Sequence, residues 1–407
     1  MIFGVFIFGI LFLFLASVLL ISIFSIFKKD NYKKYEPDVS VVIPCYNEEE
    51  NIKETLDAVF ESKYPLKKLE VIVVDDGSTD GTLKILQSYE RNIKIIQGKH
   101  GGKSDALNLG CKAAKNEIIL SIDADTLIGK GSISKLVLPF QIEKVAATNG
   151  SCLVQNKNSI LGLFQNVEYN YNNLIKRSFS SVFNNGIWFF GAFACYRKSV
   201  LHKLNYFKKD TVTEDADISL EIYKYGYKTM NVYDAYGYVL VPTNFKDLFK
   251  QRTRWWMGVL QALKKNKLFS FKSSPSIQFL YYNQYWWSFY AIVSIPLIIY
   301  QYSYWFPKGS FYEIFMYTFR WFTVTGPFYV IYKISEWGIS LYNIFGVTAG
   351  LISVLLILVS IFMFNDRKNP LNLIGVFFYF PYTIVLNIII LISLIKMKFL
   401  KRQYFMD

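Results

Sequence analysis

The apolar positions divide the chain into three stretches. Residues 2–27 form one uncharged apolar run, longer than the roughly 20 residues that a helix needs to cross the hydrocarbon core of a bilayer. No basic segment precedes it, and it exceeds the ~7–15 apolar residues of a cleaved leader, so it is expected to stay as a membrane anchor. Apolar character returns in runs at residues 277–305, 311–332, 341–364 and 371–395. About four more spans are expected there. The run at 311–332 carries Glu313 and Arg320 and could instead be a tilted or interfacial helix. Tyr281, Tyr282, Tyr285, Trp286, Trp287 and Tyr290 crowd the start of this block, as aromatic rings do where a helix meets lipid headgroups, and they could also line a sugar path.

The middle stretch changes period. Short β-branched runs at residues 39–43, 70–74, 93–96 and 117–122 alternate with helical patterns at 48–62 and 79–89, which predicts an α/β domain with a largely parallel sheet. In such sheets the ligand site lies at the carboxyl ends of the strands. Residues 244–268 interleave Phe245, Leu248, Phe249, Trp255, Trp256 and Leu260 with Lys246, Lys250, Arg252 and Arg254, the pattern of an amphipathic helix at a membrane surface. The expected organisation is a span at 1–28, a soluble α/β domain at 29–242, an interface helix at 243–270, and spans with a basic tail at 271–407.

Composition supports the division: of 407 residues, 52% are hydrophobic, more than one soluble core would use. The net charge of +14 matters mainly through its placement. Lys28, Lys29, Lys33 and Lys34 follow the first run, and Lys396, Lys398, Lys401 and Arg402 follow the last. Both flanks are therefore expected on the cytoplasmic side of a multi-pass cell-membrane protein, with the α/β domain between them; Arg367 and Lys368, in an expected outer loop, run against that rule. Basic residues at lipid flanks, with no base-reading motif, point to membrane lipids and away from nucleic acid. Cys45, Cys111, Cys152 and Cys195 lack CxxC spacing and the chain has two histidines, which argues against zinc and for packed, reduced thiols.

The candidate chemistry sits where the strands end. Asp123-Ala-Asp125 follows the apolar strand at 117–122 and can hold a divalent ion that neutralises a diphosphate, or simply form a solvated turn. Asp75-Asp76-Gly77-Ser78 follows another strand and can accept from a base N–H or a ribose hydroxyl, or serve as a turn. His100-Gly-Gly-Lys103 opens a helix and could offer amides and one cation to phosphate, without Walker A spacing, or be a plain loop-to-helix junction. Thr213-Glu214-Asp215-Ala-Asp217 is either an acidic helix cap or the place of a general base. In Gln251-Arg-Thr-Arg254-Trp255, Arg252 and Arg254 could hold diphosphate and Trp255 could stack on a sugar, or the segment could be only the basic face of the interface helix.

Taken in order, Val42-Ile-Pro-Cys-Tyr-Asn-Glu48, Val74-Asp-Asp-Gly-Ser78, Lys103 to Asn108, Asp123-Ala-Asp125, Thr213-Glu-Asp215 and Gln251-Arg-Thr-Arg-Trp255 resemble the processive family 2 glycosyltransferases, the cellulose, hyaluronan, chitin-oligosaccharide and poly-N-acetylglucosamine synthases. The last two segments look most like the poly-N-acetylglucosamine branch. The resemblance implies a GT-A (Rossmann-like nucleotide-sugar) fold, Mg²⁺ or Mn²⁺, a UDP-sugar donor, inversion at the anomeric carbon, and a glycan or lipid-linked acceptor. It implies that Glu48, Asp75 and Asp76 lie near the uridine, Lys103 near the diphosphate, and Asp123 and Asp125 around the metal. It makes Asp215 the base, with Glu214, Gln251, Arg254 and Trp255 at the pyrophosphate and the acceptor end. Two other readings stay open: transfer of one sugar to a polyprenyl phosphate, and a nucleotide-binding transporter or scaffold.

Overall fold

The computed structural model describes residues 2–28, 31–187, 189–364 and 370–399, without the side chains of Tyr304 and Phe399. Lys29, Arg367, Lys368, Lys401 and Arg402, used above to orient the chain, lie outside the described residues. Helix α1 (Ile2–Ile26) leads into the α/β domain. Its strands are β1 (Val39–Cys45), β2 (Leu69–Asp75), β3 (Lys94–Gln97), β4 (Ile118–Ile122), β5 (Leu127–Ile128), β6 (Val145–Val154), β7 (Phe193–Arg197) and β8 (Lys228–Val239). Among the described residues they form one sheet in the order β3-β2-β1-β4-β7-β6-β8-β5.

β1 is buried along its whole length and β2 along most of it, because helices cover both faces. Val41 and Ile43 pack toward α2 (Ile52–Phe60), with Leu86 of the short α3 (Thr82–Gln87) in the same cluster. Val42 and Ile72 pack toward α4 (Lys103–Ala113) on the other face. The sheet is mixed rather than largely parallel. β1 to β4 run parallel, but β7 is antiparallel to both β4 and β6. That reversal has a use: Phe193, the first residue of β7, pairs with Ile122, the last of β4, so the loop entering β7 lies beside the Asp-Ala-Asp segment.

Between β6 and β7 runs α5 (Ile160–Phe183), capped by Ser159, whose Oγ accepts from the Gly162 amide at 2.9 Å. Leu174 and Phe179 of α5 join Leu15 and Val18 of α1 in one apolar cluster. α6 (Glu214–Lys224) and α7 (Phe245–Asn266) follow, then α8 (Pro275–Tyr304). α6 is tied to the far end of α7, where Lys265 Nζ lies 2.5 Å from Asp217 Oδ2 and Asn266 Nδ2 donates to Asp217 Oδ1 at 2.9 Å. Asp217, the third acid of its cluster, is thus a structural tie.

The apolar runs resolve unevenly. The run at 311–332 is two short helices, α9 (Phe311–Phe319) and α10 (Gly326–Tyr332). Arg320 ends the first, and Pro327, which cannot continue a helix from behind but fits its first turn, begins the second. The next run is α11 (Leu341–Phe364), and the last divides into α12 (Leu371–Phe377) and α13 (Phe380–Phe399), with Pro381 starting the latter. Among the described residues, three helices are long and apolar enough to cross a membrane: α1, α11 and α13. α8 has 30 residues, but its polar and aromatic content keeps it out of that group. Phe3, Phe6, Leu13 and Leu20 of α1 are exposed, as a lipid-facing surface would be.

Candidate active site

A cavity of about 310 Å³ opens where the carboxyl end of β4, the loop before β7, the start of α6 and the middle of α7 meet. Lys103, Asp123, Asp125, Glu214, Asp215, Gln251, Arg254 and Trp255 all line it. The fold thus gathers into one chamber residues that the sequence scatters over about 150 positions.

Lys103, the first residue of α4, occupies the centre. Its Nζ lies 2.5 Å from Asp123 Oδ1 and 3.4 Å from Glu214 Oε1, so one ammonium bridges two acids from different segments. Burial opposes its charge, but Asp123 and Glu214 outweigh burial and hold its proton more firmly than usual. The helix can start there because Gly102 takes φ +88°, a region that side chains disfavour.

Asp125 is crowded. Burial first, then the charges of Asp123 and Glu48, push its carboxyl up to about 6. Such acids accept a hard divalent cation readily, since the ion removes the repulsion. Among the described residues no group of three or more metal-ligating side chains is assembled, so the chain alone offers a partial shell. Two carboxylates fit an ion whose remaining ligands come from a diphosphate.

Asp215 stands across the cavity. Its Oδ2 accepts from the Gly191 amide at 2.8 Å and its Oδ1 from the Ala216 amide at 2.8 Å. Burial, reinforced by Glu214 and opposed by Lys103 and those amides, raises its carboxyl to about 6, where a base is useful near neutral pH. Gly191 is required by space: a Cβ there would lie 2.8 Å from Asp215 Cβ. The next residue, Ala192, accepts from the Asp123 amide at 3.1 Å. One dipeptide therefore joins the metal-type acids to the base-type acid. The role of Gly191 appears only once β7 is laid against β4.

Three expected nucleotide contacts lie outside this chamber. Asp75 and Asp76 are buried at the end of β2. Asp75 Oδ1 accepts from the Ser78 amide and closes its own turn, while Asp76 accepts from the amides of Gly101 at 2.9 Å and Gly102 at 2.8 Å and so shapes the loop that presents Lys103. Glu48 is held by Asn51 Nδ2 at 2.9 Å, and burial, with Asp123 and Asp80, raises its carboxyl despite that bond. Arg252 is a correction to the sequence reading. It is buried and committed to Glu168, while its neighbour Arg254 is exposed to the cavity. Trp256 turns away, its Nε1 donating to Ser288 Oγ of α8.

Residues 40–204 match the Glycosyl transferase family 2 profile. That match covers about four tenths of the chain, from β1 to just past β7. The chain is similar to the poly-beta-1,6-N-acetyl-D-glucosamine synthase of Staphylococcus epidermidis RP62A, 33% identical over 247 residues, covering 60% of this chain and 59% of that one. It is also similar to the protein of the same name from Staphylococcus aureus COL, 32% identical over 246 residues, covering 57% and 58%. The chain thus spans about six tenths of the length of these curated relatives. The glycosyltransferase fold recurs in the mannosyltransferase PcManGT from Pyrobaculum calidifontis, solved with GDP-Man and Mn²⁺, at a TM-score of 0.58 and 21% identity over 88% of this chain and all of that one. The GT-A fold read from the motifs therefore holds, with an N-terminal and a C-terminal apolar helix in place.

Proposed function

We propose that the chain is an inverting, membrane-embedded glycosyltransferase that extends a β-linked polysaccharide from a UDP-sugar, with N-acetylglucosamine as the sugar, at a cytoplasmic site. The observation that carries this reading is the convergence on one cavity of a buried carboxylate with raised proton affinity, a pair of crowded acids, and the cations Lys103 and Arg254. The names of the Staphylococcus relatives support the sugar and the product class.

Asp215 takes the proton of an acceptor hydroxyl, that oxygen forms the bond to the anomeric carbon, and the bond from that carbon to the phosphate oxygen breaks as UDP leaves. A single displacement of this kind inverts the carbon, so an α-linked donor gives a β-linked product. Lys103 and Arg254 face the charge that develops on the leaving diphosphate. Asp123 and Asp125 are the residues that would hold Mg²⁺ or Mn²⁺, which supplies further neutralisation of that diphosphate. Trp255 and Tyr169 offer ring faces to the acceptor sugar. Gly191 and Ala216 keep the base aimed, because their amides hold one carboxylate oxygen each.

The test is UDP release by the detergent-solubilised chain over a panel of UDP-sugars, with and without Mn²⁺, beside Asp215→Asn. Release should be selective for UDP-N-acetylglucosamine and fall by about 10²- to 10⁴-fold in the variant, the usual worth of a general base. Undiminished turnover in Asp215→Asn would remove the mechanism, and product length separates chain extension from single transfer.

A further inference from the structure

Beneath the aromatic wall of the cavity lies a charge cluster that the mechanism does not use. The Arg252 guanidinium, only 6% exposed, forms a fork on Glu168 of α5, with Nε donating to Oε1 at 3.1 Å and Nη2 to Oε2 at 2.9 Å. Glu168 Oε2 also accepts from the Tyr382 hydroxyl of α13 at 2.6 Å. Nη1 of Arg252 donates to the side-chain oxygen of Gln251. The guanidinium lies 4.3 Å from the centre of the Trp255 ring and 5.8 Å from that of Tyr169. Gln251, Trp255 and Tyr169 all line the cavity, and the two rings stand 6.4 Å apart.

We infer that Glu168, Arg252 and Tyr382 form a positioning unit that sets Trp255, Tyr169 and Gln251 for the acceptor end of a saccharide, and that it ties this wall to the apolar helix α13. The inference rests on the transferase reading above. Three features support it. A bidentate fork fixes the plane of a guanidinium as well as its place, and a fixed plane can act as a floor for an aromatic ring. The Tyr382 hydroxyl gives Glu168 Oε2 a further donor from a different element, so the carboxylate is held from α13 as well as from α7. The donor-side groups Lys103, Asp123 and Asp125 come from α4 and the end of β4, and none of them contacts the unit. Disturbing it should therefore move acceptor recognition and leave donor recognition in place.

Tyr382→Phe tests this with the loss of one hydroxyl, and Glu168→Gln with the loss of one charge. UDP-N-acetylglucosamine is the donor, a β-1,6-linked N-acetylglucosamine oligomer the primer, and hydrolysis of the donor without primer the reference reaction. In Tyr382→Phe the KM for primer should rise about tenfold, as a small misplacement of a positioning group does. Donor KM and the reference hydrolysis should stay at wild-type values. Arg252→Lys keeps the charge but not the plane, and should not restore primer KM. A parallel rise in donor KM, an unchanged primer KM, or full function in Arg252→Lys would overturn the inference. A second readout needs no turnover: in full-length chain labelled with 5-fluorotryptophan, the ¹⁹F resonance assigned by its loss in Trp255→Phe should shift or broaden in Tyr382→Phe. An unmoved resonance also overturns the inference, whereas wild-type chain that releases no UDP overturns the transferase reading and leaves the resonance to decide the positioning.

Discussion

Replacing Gly191 by alanine places a methyl group where Asp215 already stands. The new Cβ would be 2.8 Å from Asp215 Cβ and 3.2 Å from Oδ2, against 3.4–4 Å for ordinary contact. The carboxylate cannot simply rotate aside, because the amides of Gly191 and Ala216 hold both its oxygens at 2.8 Å. Either Asp215 or the loop must move by about 0.6 Å or more, and misplacing a reacting group by 1 Å costs on the order of 100-fold in rate. In energy that is ~2.7 kcal/mol of transition-state stabilisation. Gly191→Ala should therefore lower kcat/KM for UDP release about 100-fold, at the mild end of what Asp215→Asn removes. Equilibrium binding of UDP should be retained, which separates displacement of the base from collapse of the domain. Gly346→Ala, where the added Cβ meets nothing within 4 Å, is the control. A Gly191→Ala protein within threefold of wild type would refute the idea that the Gly191 loop seats the base.

Because Asp215 must be ionised to accept a proton and its carboxyl is raised to about 6, kcat/KM should fall about tenfold per pH unit below that point; a profile flat down to pH 4.5 would exclude Asp215 as the base. Asp125→Asn should abolish the response of UDP release to added Mn²⁺ while Asp247→Asn, at the start of α7, leaves it intact, checked by titrating the metal after chelation. Lys176 is buried, bonded to the Gly150 carbonyl at 3.2 Å, and burial lowers it to about 8. Its folded value lies below its unfolded one, so the penalty is complete below pH 8 and relieved as pH rises toward 10.5. Denaturation midpoints should thus increase over that window, and Lys176→Met should raise stability at pH 7 by up to ~3 kcal/mol and remove the increase.

The parts legible in sequence are those where burial leaves a simple trace. β1, β2 and β4 are covered on both faces, so they read as apolar runs, and the acids that end β2 and β4 stand out against them. α5 left no such trace. It lies between the sheet and the apolar helices, and its polar side chains are buried by pairing with distant backbone: Gln165 donates to the Pro242 carbonyl at 2.7 Å and Asn173 to that of Cys152 at 2.8 Å. A helix polar on the inside has neither a clean stripe nor a clean run. Glu168 was invisible for the same reason, since its partner Tyr382 is 214 residues away. For Asp75 and Asp76 the position after a strand is legible, whereas the local amides that bond Asp75 Oδ1 and both oxygens of Asp76 are not. The apolar runs are legible, but their breaks depend on Arg320, Pro327 and Pro381, whose effect is to divide a run rather than to tilt it.

The ammonium shared by Asp123 and Glu214 has a consequence for the order of events. Lys103 lowers the proton affinity of Asp215, so while it rests between those two acids it also keeps the base weak. An arriving diphosphate competes for the same cation, and each step of Lys103 toward phosphate strengthens Asp215. Donor loading would then strengthen the base further, and an acceptor, or a stray water, that entered first would meet a weaker one. Binding order stays free, but the base is strongest only once the sugar nucleotide is in place. Its signature is an acid limb that lies at higher pH in kcat, which reports the loaded chain, than in kcat/KM for the donor, which reports the free one; coincident limbs would mean that Lys103 keeps no such time.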